Sequence, residues 1–171
     1  MAEPVLYPFV DNSNVLIEGC RLAEMKRKGR SWRSAFTDQS YEIDWGKFLY
    51  VVAEKDTRGL ADIPVLYGSR PPDEDSVWQR IRDDGFDLKL FDRNIRNKEK
   101  GVDVEMAMDI ADLLHRVTSP KIIVMAAGDA DFIPAVERAK AKGWTVEVWS
   151  CASGVASCSH ASQRARPRAT S

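Results

Sequence analysis

Histidine is scarce in this chain, with only two residues, His115 and His160, and cysteine is limited to Cys20, Cys151 and Cys158. No CxxC spacing occurs, so a thiolate zinc site has no framework, and three thiols suit a reducing compartment better than a disulfide scaffold. Cys158 with His160 is at most half a metal site, set in a serine-rich stretch. No Gly-x-Ser-x-Gly turn accompanies either histidine, which leaves a Ser-His-Asp nucleophile unsupported. A glycine-rich phosphate loop is missing as well. No apolar run reaches membrane-spanning length, and no signal-type segment opens the chain. A cytoplasmic location is therefore expected. Nor is there an excess of one charge: 25 basic against 26 acidic side chains give a net charge of −1. A histone-like, uniformly basic nucleic-acid binder is excluded, but segregated charge is not.

What remains is the composition of an ordinary globular domain, 44% apolar and 30% charged over 171 residues, long enough for a sizeable core. Short apolar runs alternate with amphipathic segments. Strands are expected at 5–10, 61–68, 86–92, 121–127 and 144–150. Helices are expected at 14–29, 43–55, 71–85, 102–117 and 131–142, with a loop over 30–42. That alternation predicts an α/β fold with a parallel sheet and right-handed crossovers. The runs VLYPFV and IIVMAA lack a period of two, as central strands covered on both faces do. Pro64 places the start of its strand outside the ladder. The domain is expected over 1–150, and the Ser/Ala/Arg-rich segment 151–171 is expected to be a disordered tail.

The acids carry the chemistry. In open parallel sheets ligands bind beyond the carboxyl ends of the strands. The run VLYPFV ends there in Asp11, and IIVMAAG ends in Asp129, followed by Asp131. A third source is the helix VDVEMAMDIADLLHRV. Stepping back one turn along its apolar stripe of Met106, Ile110, Leu113 and Leu114 leads to Asp103. Glu105, Asp109, Asp112 and Arg116 fall on another face, as solvated i,i+4 partners. Each acid has an ordinary explanation: an Asx-turn for Asp11, a helix cap for Asp131, the helix dipole for Asp103. Their coincidence at one sheet edge is harder to explain that way. Two carboxylates roughly 4 Å apart repel by about 4 kcal/mol at an effective dielectric near 20. A cluster therefore calls for protonation or a divalent cation, and oxygen-only ligands favour Mg²⁺ or Mn²⁺ over Zn²⁺. Such an ion suits phosphodiester hydrolysis.

Asn12, Ser13 and Asn14 stand where a helix N-terminus would favour a phosphate, or would cap that helix. Arg93, Arg96, Lys98 and Lys100 lie on the loop leading to Asp103, placed to hold an RNA backbone or to be solvated.

The motifs FVDNSN, KGVDVEMAMDIADLL and MAAGDADFIPAVERAKAKGWTVEVWS resemble those of the NYN domain, in its LabA-like branch, within the PIN-like nuclease superfamily. The resemblance runs from about residue 5 to 150. It implies a PIN-like three-layer α/β sandwich and a metal-dependent endoribonuclease acting on single-stranded or structured RNA. By matching position it assigns Asp11 as the first-strand acid, Asp103 as the acid after Lys-Gly-Val, and Asp129 and Asp131 as the Gly-Asp-x-Asp pair. Asp109 also falls where that branch is often acidic, but its helix face sets it apart from the metal ligands. After residue 150 this chain lacks the hydrophobic continuation usual in the branch. Two other readings compete. A non-catalytic RNA-binding module would keep the fold without turnover. A haloacid-dehalogenase-type phosphatase wants an acid two residues after Asp11, where this chain has Ser13. Self-association into a homo-oligomer stays open.

Overall fold

The computed structural model describes residues 5–29, 40–53, 58–70, 76–92 and 101–150. The described residues form six parallel strands and five helices, in chain order β1 (Val5–Asp11), α1 (Asn12–Lys28), α2 (Trp45–Val52), β2 (Gly59–Leu60), β3 (Val65–Arg70), α3 (Ser76–Asp83), β4 (Asp87–Asp92), α4 (Val102–Arg116), β5 (Ile122–Ala126), α5 (Ile133–Ala141) and β6 (Thr145–Val148). A 3₁₀ turn, Ala130–Phe132, precedes α5. The sheet order is β4-β3-β1-β5-β6, with β2 paired to β1. The chain thus winds outward from β1 to β4, then crosses back to β5 on the other side of β1. This is the three-layer, PIN-like α/β arrangement expected from the sequence.

Strand alternation decides which helices cover which face. Val10, Leu66 and Ala126 point to one side, packing with Trp45, Trp78, Ile81 and Phe86 of α2, α3 and the turn after α3. Phe9, Tyr67, Ile123 and Met125 point to the other, beneath Met106, Ile110 and Leu113 of α4 and Ala139 of α5. Each face of β1 is therefore covered, which is why its sequence shows no alternation.

Pro8 sits inside this central strand, although proline cannot donate to a ladder. The register shows how it fits. The Leu6 carbonyl accepts from the Ala61 N–H at 2.8 Å, so the backbone polar groups of residues 6, 8 and 10 point toward β2 and β3. On that side β1 pairs with β2 through Val5 and Leu6, and with β3 only from Phe9 onward. Pro8 falls in the gap between the two strands, while its ladder to β5 runs unbroken from Leu6 to Val10. Pro64 lies just outside β3, as expected, and its carbonyl accepts from the Asp87 N–H at 2.9 Å.

Candidate active site

The strand order reverses beside β1, making the carboxyl ends of β1 and β5 the crevice where a parallel sheet binds ligands. Asp11 stands there at the end of β1 and is only 5% exposed. It is itself the N-cap of α1, its Oδ1 accepting from the Asn14 N–H at 3.1 Å. This corrects the assignment of capping to Ser13 or Asn14: the helix starts at Asn12, so the strand's terminal acid does the capping.

Asn14 is thereby free for another contact. Its Oδ1 accepts from the Gly128 N–H at 2.8 Å, tying the first turn of α1 to the exit of β5 across 114 residues of sequence. A Cβ at position 128 would lie 3.3 Å from that oxygen, so glycine permits the close approach. Asp129 follows at once and caps the 3₁₀ turn, accepting from the Asp131 N–H at 3.1 Å. Asp131 is exposed and caps nothing; α5 begins at Ile133 with Pro134 in its first turn and Phe132 as N-cap. The reading of Asp131 as a helix cap is thus corrected: α5 has no side-chain cap, and Asp129 caps the 3₁₀ turn before it. A groove of about 580 Å³ opens beside this turn, lined by Ala127, Gly128, Asp129, Phe132, Val148 and Ser150 among others.

Asp103 is exposed, and Val102 takes the buried place at the start of α4. The expected position on the core-facing stripe is therefore corrected. Residues 102 and 103 border that stripe on either side, four and three residues before Met106, and burial of a valine is favourable where burial of a carboxylate is costly. Asp103 instead stands at the helix N-terminus, on an element that packs against the 3₁₀ turn of Asp129 and Asp131. Asn12 and Ser13, in the first turn of α1, are half-buried. Arg93, Arg96, Lys98 and Lys100 lie outside the described residues, as do Cys158, His160 and the segment 151–171.

The oxygen-only donor set of Asp11, Asp103, Asp129 and Asp131 suits a hard divalent cation. Among the described residues, no three His, Cys, Asp or Glu side chains stand close enough together to enclose a metal ion.

A second polar group was misjudged in the sequence. Glu105 and Asp109, partly exposed, are partnered from another element and not by i,i+4 pairing alone. Lys89 of β4 reaches both, at 3.0 Å from Glu105 and 2.7 Å from Asp109. Asp109 also accepts a hydrogen bond from the Tyr67 hydroxyl. The signal that could have revealed this is Lys89 itself, the one cation in the alternating strand FDLKLFD. Burial works against the Lys89 ammonium, but its hydrogen bonds to Asp109 and Glu105 outweigh that and raise its pKa. Burial, followed by the hydrogen bond to Asp109, pushes the Tyr67 phenol far above its ordinary value. A raised pKa means that the native state keeps the proton longer than the unfolded chain. The resulting stability is intact below about pH 10 and is lost as pH rises further, where unfolded tyrosine ionises. Urea melts are therefore expected to show stability falling above about pH 10, with a shallower fall in Tyr67→Phe. An unchanged slope in that variant would remove Tyr67 as the cause.

Two further features lie near these elements. The Ser69 hydroxyl, at the carboxyl end of β3, has no hydrogen-bond partner among the described residues. A cavity of about 400 Å³ lies under the other half of α4, between Tyr7, Val65, Asp87 and Arg116. It adjoins the strand starts, away from the crevice.

Residues 9–170 match the NYN domain. The chain belongs to the NYN domain family. The match reaches past residue 150, the boundary expected from composition, and it does not distinguish the LabA-like branch from others. No curated protein and no solved structure matches the chain. Membership supports a nuclease-type function for this NYN domain, and its fold agrees with that of PIN-like nucleases. No described helix is long and apolar enough to cross a membrane.

Proposed function

We propose that this NYN domain is a Mg²⁺- or Mn²⁺-dependent endoribonuclease whose reaction takes place in the crevice between the carboxyl ends of β1 and β5. One observation carries this reading. A buried carboxylate, Asp11, ends the central strand, and the Asn14–Gly128 hydrogen bond ties its turn to the one that bears Asp129. Asp11, Asp103, Asp129 and Asp131 would have to draw together to hold the ion, which when bound would activate water and steady charge on the phosphate.

The chain's own side chains supply the rest. Asp11, fixed by the Asn14 N–H, cannot swing out of the crevice without uncapping α1. Asn12 and Ser13 lie on the first turn of that helix, where its dipole favours a phosphate oxygen. Arg93, Arg96, Lys98 and Lys100 would hold the RNA backbone without reading its sequence.

A titration with Mg²⁺ or Mn²⁺, following RNA degradation and thermal stability in parallel, tests this. Degradation should appear with the metal, and a concentration 100-fold above Kd should stabilise the fold by about 2.7 kcal/mol. RNA binding without degradation at any metal concentration would leave a binding module instead.

A further inference from the structure

Helix α4 is apolar on two opposite faces. Its inner stripe, Val102, Met106, Ile110, Leu113 and Leu114, is buried in the core. Directly opposite, Val104, Met108, Ala111 and His115 recur at spacings of four, three and four, the seam of a helix that packs against another helix. A helix covered on one side should present its most polar residues here. Yet Val104 is 63% and Met108 58% exposed, and the charged residues Asp103, Glu105, Asp109, Asp112 and Arg116 are confined to the flanks. The neighbouring α5 adds Ile133, 54% exposed.

The same surface also offers a recess. Between α4 and α5 runs a groove of about 150 Å³, lined by Ala107, Ile110, Ala111, Leu114, Pro134 and Ala135. Protruding Val104 and Met108 thus sit beside a shallow, mainly apolar hollow floored by alanines and Leu114, with Arg138 at its edge. A patch that carries both its own knob and its own hole is self-complementary, which is the requirement of an isologous two-fold interface.

Charge selects the orientation. The first turn of α4 holds Asp103 and Glu105, and its last turn holds His115 and Arg116. A parallel pair of such helices would set like charges and like dipole ends together. An antiparallel pair sets each basic end against an acidic one and opposes the dipoles favourably. We infer that the outer face of α4, with the adjoining α5 groove, is the interface of a homodimer in which two copies of α4 pack antiparallel across a two-fold axis. The partner is a second copy of this chain. The contact borders the turn that carries Asp103, so the basic end of the second α4 comes to lie beside the rim of the crevice.

Sedimentation of the full chain across a concentration series tests this independently of any nuclease activity. The wild type is expected to reach dimer at about 100 µM, two decades above a micromolar Kd. Met108→Asp and Val104→Glu are expected to sediment as monomers with melting temperatures near that of the dissociated wild type, because both positions face solvent within one copy. Val51→Asp, at a comparably exposed apolar position on α2, is expected to leave the dimer intact. A wild type that stays monomeric at that concentration overturns the inference. So does a Met108→Asp dimer, or dissociation by Val51→Asp to the same extent.

Discussion

Asp11→Asn is expected to lower metal-dependent RNA cleavage by about 10²–10³-fold, the scale seen when one preorganised electrostatic group is removed from an active site, with little change in melting temperature. The two halves of that expectation come from the two roles of the residue. Asp11 caps α1 through the Asn14 N–H, and asparagine caps a helix about as well as aspartate. The amide keeps the shape and the hydrogen bond but removes the charge that would hold the cation. Asp11→Ala removes both, so it should lose cleavage to a similar degree and in addition about 0.5–2 kcal/mol of stability from the lost cap. Cleavage rates and thermal melts of the two variants side by side separate catalysis from folding. Wild-type cleavage by Asp11→Asn would remove Asp11 from the active site and leave it a helix cap.

The second large effect concerns stability. Arg58 and Glu147 are 6% and 7% exposed, and one guanidinium nitrogen of Arg58 lies 3.0 Å from each carboxylate oxygen of Glu147. Glu147 is in register with Val124 of β5, so it points to the sheet face where Leu6, Val52 and Val124 pack. Arg58→Met alone strands a buried carboxylate, and is expected to cost about 3–5 kcal/mol. In a domain of this size that lowers the melting temperature by roughly 10 °C. The double variant Arg58→Met/Glu147→Leu should recover most of the loss, because a well-packed apolar pair replaces a buried ion pair at little or no cost. Denaturant melts of the single and double variants decide it. Equal destabilisation in both would mean that packing, and not the stranded charge, dominates.

Several features of the site were legible before the fold was known. Asp11 and the Gly-Asp-Ala-Asp turn could be found because each ends an uninterrupted apolar run, and a buried strand in a parallel sheet points its carboxyl end toward the crevice. The choice between Val102 and Asp103 was not legible. Both border the inner stripe of α4, one on either side, and only the sheet beneath shows which is covered. Glu105 and Asp109 were misjudged for a related reason. Helical spacing shows which residues share a face, but the cation that pairs with both, Lys89, comes from a strand. Asn14 shows the same division: its place in a cap-like cluster was visible, its hold on Gly128 was not.

The sequence by itself determined the order of strands and helices, apart from the two-residue β2, and the acids that end two central strands, since periodicity and termination act within a few residues of one another. Only the tertiary structure decided that Pro8 falls in the gap between β2 and β3, that Arg58 meets Glu147, and that α4 has a second apolar face left uncovered. Those outcomes depend on which distant segments pack together, and no local pattern encodes that choice.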